Sequence, residues 1–135
     1  MSVAEAFHDT NVVLYLRSGD AAKADRAEEL FASGGSVSVQ VLNEFAAVAR
    51  RQLRMDWSQI HEVLLQLRAV CVVESLSVET HARGVMLAER YKLNVYDAMI
   101  DSSALLAGCR FLYTEDMHDG QVFEGQLTVR NPFAA

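Results

Sequence analysis

Phe7-His8-Asp9-Thr10-Asn11 is the stretch on which the reading of this chain turns. A carboxylate follows a very short apolar run and precedes a helical pattern. In an open α/β sheet, ligands bind outside the carboxyl ends of the strands, which is where such an acid stands. The same Asp-Thr-Asn is also a good helix N-cap, and an Asp before a helix is most often only that. Asp9 becomes more than a cap only if the rest of the chain supplies partners for it.

Working outward, residues 4–8 read as a strand and 10–17 as a helix carrying Val12, Val13, Leu14 and Leu16. His8 is unusual in a strand that should be central, and reads as a buried, hydrogen-bonded histidine rather than a catalytic one. Ser18-Gly19-Asp20 breaks the first helix and caps a second over 21–32. Ser33-Gly34-Gly35 is a turn, and 36–39 a short β-branched strand. Residues 41–53 place Val41, Phe45 and Val48 on one helical stripe. Asp56 caps a helix to about residue 69, 70–74 is a strand, and Ser77 caps a helix to residue 91. A further helix covers 96–107 and stops at Gly108. Residues 110–114 form a strand, a polar loop runs through Gly120, and 127–130 form a last strand. Strands alternating with helices imply a parallel sheet covered on both faces, with all strand carboxyl ends on one edge.

At 135 residues the chain reads as one domain, 1–135, long enough for a hydrophobic core. With 51% apolar and 22% charged residues it is ordinary globular protein, which excludes a disordered chain. The formal charge, 12 − 18 = −6, argues against nucleic-acid binding through net charge alone, but leaves room for an acidic metal pocket. Cys71 and Cys109 fit no zinc spacing and no disulfide framework, so they read as buried thiols in a reducing cytoplasm. No signal peptide and no membrane span are expected.

Four acids fall at element junctions of the right polarity: Asp9, Glu44, Asp97 and Asp116. Carboxylates brought together repel, and at least one takes up a proton unless a cation neutralises the set. An all-oxygen donor set suits Mg²⁺ or Mn²⁺, whereas no His and Cys set exists for zinc. Such an ion suits phosphoryl chemistry. Four unrelated caps and surface acids is the competing reading. Asp101 lies one turn after Asp97 and is either a supporting acid behind it or simply solvated, the solvated reading being preferred. Met99, Ile100 and Leu105 read as core, and Asn43 as structural.

The ordered set Phe7-His8-Asp9-Thr10-Asn11, Gln40-Val41-Leu42-Asn43-Glu44-Phe45, Tyr96-Asp97-Ala98-Met99-Ile100 and Leu112-Tyr113-Thr114-Glu115-Asp116 resembles the PIN domain family, specifically its VapC-type toxins. The resemblance spans nearly the whole chain. It implies a Rossmann-like α/β/α fold with a five-stranded parallel sheet. It implies a Mg²⁺-dependent endoribonuclease (Mn²⁺ as the alternative ion) acting on RNA, held in check by a VapB-like antitoxin, and a homodimer. Asp9, Glu44, Asp97 and Asp116 match the acidic positions, with Asp9, Asp97 and Asp116 as metal ligands. Thr10, Asn11 and Thr114 match the supporting polar residues, and Asp119 is a reserve for Asp116. His8 departs from the usual apolar residue.

The helices over 21–32 and 41–53 are the expected walls of an antitoxin groove. Arg17, Arg50, Arg51, Arg54 and Lys92 are candidate phosphate contacts, or simply solvated charges. Three other readings compete. A haloacid dehalogenase-type phosphatase would need a second acid where Asn11 stands. A non-catalytic α/β binding module would leave the acids without function. A housekeeping RNA-processing PIN nuclease would share the chemistry.

Overall fold

The computed structural model describes residues 5–134. β1 (Ala6–His8) leads into α1 (Thr10–Tyr15) and α2 (Ala21–Ala32). β2 (Ser36–Ser38) leads into α3 (Val39–Arg51) and α4 (Trp57–Val70), and β3 (Val72–Glu74) into α5 (Val78–Tyr91) and α6 (Val95–Leu106). β4 (Phe111–Tyr113), β5 (Val122–Phe123) and β6 (Leu127–Arg130) complete the order. The part of the first strand expected at residue 4 lies outside the described residues. Among the described residues, no helix is long and apolar enough to cross a membrane.

The helices begin where their side chains dictate. Asp20, Ser38, Asp56, Ser77 and Asn94 each accept the backbone N–H three residues on, satisfying a donor that the first helical turn leaves unpaired. Ser38 explains one shift from expectation. It caps α3 directly, so Val39 is helical rather than the last residue of a strand. Likewise Val70 closes α4 instead of opening β3.

The sheet order is β3-β2-β1-β4-β6-β5. Five strands are parallel, as the alternation of elements requires, and β5 adds a sixth, antiparallel to β6. This corrects the expectation of five strands. β5 has two residues, too few to show an alternating pattern, and it is joined to β6 by a tight turn in which Glu124 and Gly125 both have positive φ. Arg90 donates to both Glu124 oxygens (2.6 and 2.7 Å) and Tyr91 Oη to one of them (2.8 Å), tying that turn to the end of α5.

β1 and β2 are buried on both faces, so helices cover the sheet on both sides. α1 packs on α2 and α3, and α4 on α2 and α3, while α5 pairs with α6, which packs on β2 and β6. One core joins Phe7, Val37, Phe45, Ile60, Leu112 and Phe123, all nearly inaccessible to water. Cys71 and Cys109 are buried free thiols, each pushed up to about 11 by burial, hence protonated and unreactive at neutral pH.

His8 is fully enclosed. Its Nε2 faces the Gly34 carbonyl at 2.9 Å, and its ring lies against Phe31 (centroids 4.4 Å) and Tyr113 (5.8 Å). Burial lowers its pKa to about 4, so it is neutral and its Nε2 carries the proton donated to Gly34. The turn must pass close to this ring. Gly35 has φ +112, and a Cβ there would sit 2.6 Å from His8 Nε2 and 2.9 Å from the Ala6 carbonyl oxygen. Gly108 also has positive φ (+77) but open space around it. Urea denaturation is therefore expected to show Gly35→Ala destabilised by about 3 kcal/mol, from strain plus overlap. Gly108→Ala should lose only about 1 kcal/mol, from the backbone conformation alone.

Candidate active site

β1 has β2 on one side and β4 on the other, so successive strands leave it in opposite directions and a crevice opens beyond the carboxyl ends of β1 and β4. Asp9 follows β1 and Thr114 follows β4, and the Asp9 N–H donates to the Tyr113 carbonyl at 3.0 Å. The two chain ends are thereby fixed side by side before any side chain is considered.

Asp9 is indeed a cap: its Oδ1 accepts the Thr10 N–H at 2.7 Å. Its other oxygen, Oδ2, accepts from Thr114 Oγ1 at 2.9 Å. The Thr114 hydroxyl in turn accepts from Asn11 Nδ2 (2.9 Å) and from the Asp116 backbone N–H (3.1 Å). Asn11 Nδ2 also donates to Asp116 Oδ2 at 3.1 Å, and Asn11 Oδ1 accepts the Glu115 N–H at 3.3 Å. Asn11 therefore folds the loop after β4 back over β1. On the other side, Thr10 Oγ1 makes a long 3.4 Å hydrogen bond to Glu44 Oε2. Gln40, one helical turn before Glu44, donates 2.8 Å to Oε1 and 3.1 Å to the Tyr96 carbonyl. Asn94 holds Asp97 from both directions, accepting its N–H and donating to its Oδ2, each at 2.8 Å.

Asp9, Glu44 and Asp116 are thus joined through Thr10, Thr114 and Asn11, whereas Asp97, in the first turn of α6, is hydrogen-bonded to Asn94 and linked to the set by the charge of Asp116. Their mutual influence is electrostatic. Burial pushes Asp9 up to about 6, against the lowering effect of the Thr10 and Thr114 hydrogen bonds, and Glu44 and Asp116 add to the rise. Burial also raises Asp97, with Asp116 contributing. Asp119 points elsewhere, its Oδ1 accepting the Asn131 N–H at 2.8 Å.

Asp101 overturns its expected solvated state. It is wholly inaccessible, and neither carboxyl oxygen has a hydrogen-bond partner among the described residues. Burial pushes it up to about 8, with Asp9 and Asp97 adding. The i, i+4 spacing correctly put it on the face of Asp97, but that face turns inward: α6 is buried from Ile100 to Leu105. Asn43 is corrected in the other sense. It is exposed and hydrogen-bonds to nothing among the described residues, so it holds no structure together.

Sequence reasoning passed over Gln40 and Asn94 as holders of acids, although their i−4 and i−3 spacing to Glu44 and Asp97 was legible. It had no means to see Tyr15 and Lys23. The Tyr15 hydroxyl donates to Glu115, and Lys23 Nζ reaches both Tyr15 Oη (2.9 Å) and Glu115 Oε2 (3.5 Å), fixing the residue next to Asp116 from across the fold. Of the expected phosphate contacts, Arg17 lines a groove with Asn11 and Glu115 and pairs with Glu62 at 3.9 Å. Arg50 is occupied, donating to the Met55 carbonyl and stacking on Trp57. Arg51, Arg54 and Lys92 are exposed. α3 shares that groove with α1, while α2 shares another with α4, so the two helices expected to wall one groove border different ones.

The donor chemistry fits a hard divalent cation. The acids are oxygen-only, partly desolvated and short of counter-charge, and Asp101 leaves two buried oxygens without donors. Among the described residues, no three His, Cys, Asp or Glu side chains form a ready cage for an ion.

Comparison with known proteins gives the same outline. The family described as PIN domain matches residues 6–118. No curated protein matches the chain by sequence. A toxin-antitoxin complex from Klebsiella pneumoniae is similar in structure at TM-score 0.73 and 23% identity, over 96% of this chain and 99% of that one. The Mycobacterium tuberculosis toxin VapC20, described as cleaving the sarcin-ricin loop, is similar at 0.65 and 20%, over 82% and 91%. VapBC2 from Rickettsia felis, bound to promoter DNA, is similar at 0.65 and 16%, over 93% and 98%.

The raised carboxyls set a pH dependence. The folded state holds protons on Asp9 and Asp101 that the unfolded chain has released above about pH 4. Stability without metal therefore falls as pH rises from about 4 through 6 to 8. In EDTA, Asp101→Asn is expected to raise the thermal midpoint at pH 8 and leave it nearly unchanged at pH 4, where Asp101 is already neutral. Equal shifts at both pH values would show that repulsion is not the cause.

Proposed function

The chain belongs to the PIN domain family, and we propose that it is a Mg²⁺-dependent endoribonuclease acting as the toxin of a VapBC-like toxin-antitoxin pair. The observation that carries this reading is the joining of Asp9, Glu44 and Asp116 beyond the ends of β1 and β4, with Asp97 within electrostatic reach of Asp116 and, among the described residues, no Lys or Arg paired with any of the four. The similarity to toxin-antitoxin complexes supports the biological role, and the neighbour described as cleaving an RNA loop supports the substrate class.

In this mechanism Asp9, Asp97 and Asp116 would hold the ion, directly or through its bound water, and Mn²⁺ is the alternative to Mg²⁺. When bound, such an ion would lower the pKa of a water and stabilise charge on the phosphoryl oxygens. Glu44, held by Gln40 and Thr10, accepts the proton of the attacking water. Thr114 and Asn11 fix the Asp9 and Asp116 carboxylates at the crevice, and Asp101, buried close to Asp9 and Asp97, stands protonated at neutral pH in the absence of an ion. The chain needs no side-chain nucleophile. Single-stranded RNA fits the open crevice better than a duplex, because its backbone can bend into it.

The partner is an antitoxin segment whose apolar side chains fill the groove beside Leu14, Val48 and Leu53, with a basic residue reaching the acids. The net charge of −6 favours such a basic partner.

Purified protein is expected to cleave single-stranded RNA in Mg²⁺ and to stop in EDTA. Asp9→Asn and Asp97→Ala should each lower the rate by roughly a hundredfold or more while keeping native circular dichroism. Retained metal-dependent cleavage by folded Asp97→Ala protein would remove the assignment. Induced expression should arrest growth, with relief on co-expression of a cognate antitoxin. Growth arrest by the Asp97→Ala variant would separate toxicity from nuclease activity.

A further inference from the structure

A cavity of ≈540 Å³ lies beside the acids, lined by Gln40, Asn43, Glu44, Leu76 and Tyr96. It is built from one face of α3, where positions 40, 43 and 44 fall together, from the turn after β3, and from the first turn of α6. Tyr96 is 73% exposed, and its hydroxyl has no hydrogen-bond partner among the described residues. An aromatic side chain left that open is not serving the core. Its backbone is fixed, however: the Gln40 amide that holds Glu44 also holds the Tyr96 carbonyl. Asn43 presents a free amide on the same wall, and Leu76, 45% exposed, adds an aliphatic surface.

Because this cavity shares Glu44 with the network around Asp9, whatever occupies it stands next to whatever the acids act on. No Lys or Arg lines it, so a phosphate finds no counter-charge there. The lining instead suits a flat neutral group with a π-face and a polar edge. An unpaired nucleobase has both, stacking on aromatic rings and hydrogen-bonding to side-chain amides at its edge. We propose that this cavity is a subsite for one unpaired nucleobase of the RNA, stacked on Tyr96 and read at its edge by Asn43. The proposal rests on the RNA reading above, and assigns part of substrate selection to a base neighbouring the scissile phosphate.

The test uses 5′-labelled single-stranded RNA of mixed sequence and fluorescence anisotropy, with Asp97→Asn protein in Mg²⁺ to keep the RNA intact. Adding Tyr96→Ala should weaken binding by roughly tenfold to a hundredfold, whereas Tyr96→Trp should not. An abasic sugar placed at one particular position should produce the same loss with Tyr96 present, and no further loss in Tyr96→Ala protein. Asn43→Ala should flatten the base preference at that position while leaving the others unchanged. Binding by Tyr96→Ala within about twofold of its parent would overturn the subsite, as would a loss that no abasic position reproduces, or the absence of any RNA binding. Cleavage assays of the Tyr96 variants without the Asp97 change distinguish the two readings. Unchanged kcat/KM in Tyr96→Ala removes the subsite and leaves the nuclease standing. Base-dependent binding through Tyr96 without Mg²⁺-dependent cleavage removes the nuclease and leaves the subsite.

Discussion

Burying Asp9 between two strand ends is the constraint on which the rest of the site depends. A carboxylate taken out of water beside other carboxylates is unfavourable, and the chain offsets this with neutral dipoles rather than with a cation. The Thr10 N–H and the Thr114 hydroxyl each donate to one oxygen, and Asn11 and the Asp116 N–H complete the chain of donors. A lysine or arginine in that position would have closed the pocket with an ion pair. The nearest such device, Lys23 with Glu115 and Tyr15, stands one residue to the side and steadies the loop without neutralising Asp116. The pocket is consequently left with a deficit of positive charge that an external cation can meet.

Short strands make this arrangement possible. β1, β2, β3 and β4 have three residues each, and Asp9 alone separates the end of β1 from the start of α1. Asp9 can then act as cap and pocket acid at once. Backbone pairing places Ala6, Phe7 and His8 opposite Phe111, Leu112 and Tyr113, and that register alone brings Thr114 level with Asp9. A slip of one residue would turn Thr114 to the other face of the sheet. His8 and Gly35 lock the opposite side of β1, where the turn before β2 packs against the ring.

Features carried by local chemistry were legible in the sequence. Asp20, Asp56 and Ser77 announce helix starts by side-chain type, and strand-helix alternation implies the parallel sheet. Asp9, Asp97 and Asp116 stand out because each falls at or close to an element boundary, whereas Glu44, expected in the first turn of its helix, lies in the second, because Ser38 starts α3 at Val39. Features set by tertiary placement were not legible. Asp101 and Asn43 are the clearest cases: Asp101 reads as solvated and is sealed, whereas Asn43 reads as structural and is free. Helical periodicity gives which residues share a face, but whether that face meets the sheet or water depends on where the helix docks. β5 escaped because its two residues carry no pattern, and its turn has Glu-Gly where Asn-Gly or Asp-Gly would have signalled a hairpin. The Tyr15, Lys23 and Glu115 contact spans about ninety residues of chain, and nothing local encodes it.

The strand order has a further consequence, for synthesis. β1 emerges first, yet its neighbour β4 lies about a hundred residues later, and the hydrogen bond from Thr114 to Asp9 closes that whole interval. Long-range parallel pairing of this kind is among the last contacts a chain can make. On a ribosome that adds roughly 5–20 residues per second, Asp9 therefore lacks Thr114 and Asp116 until the roughly hundred residues between them have been made.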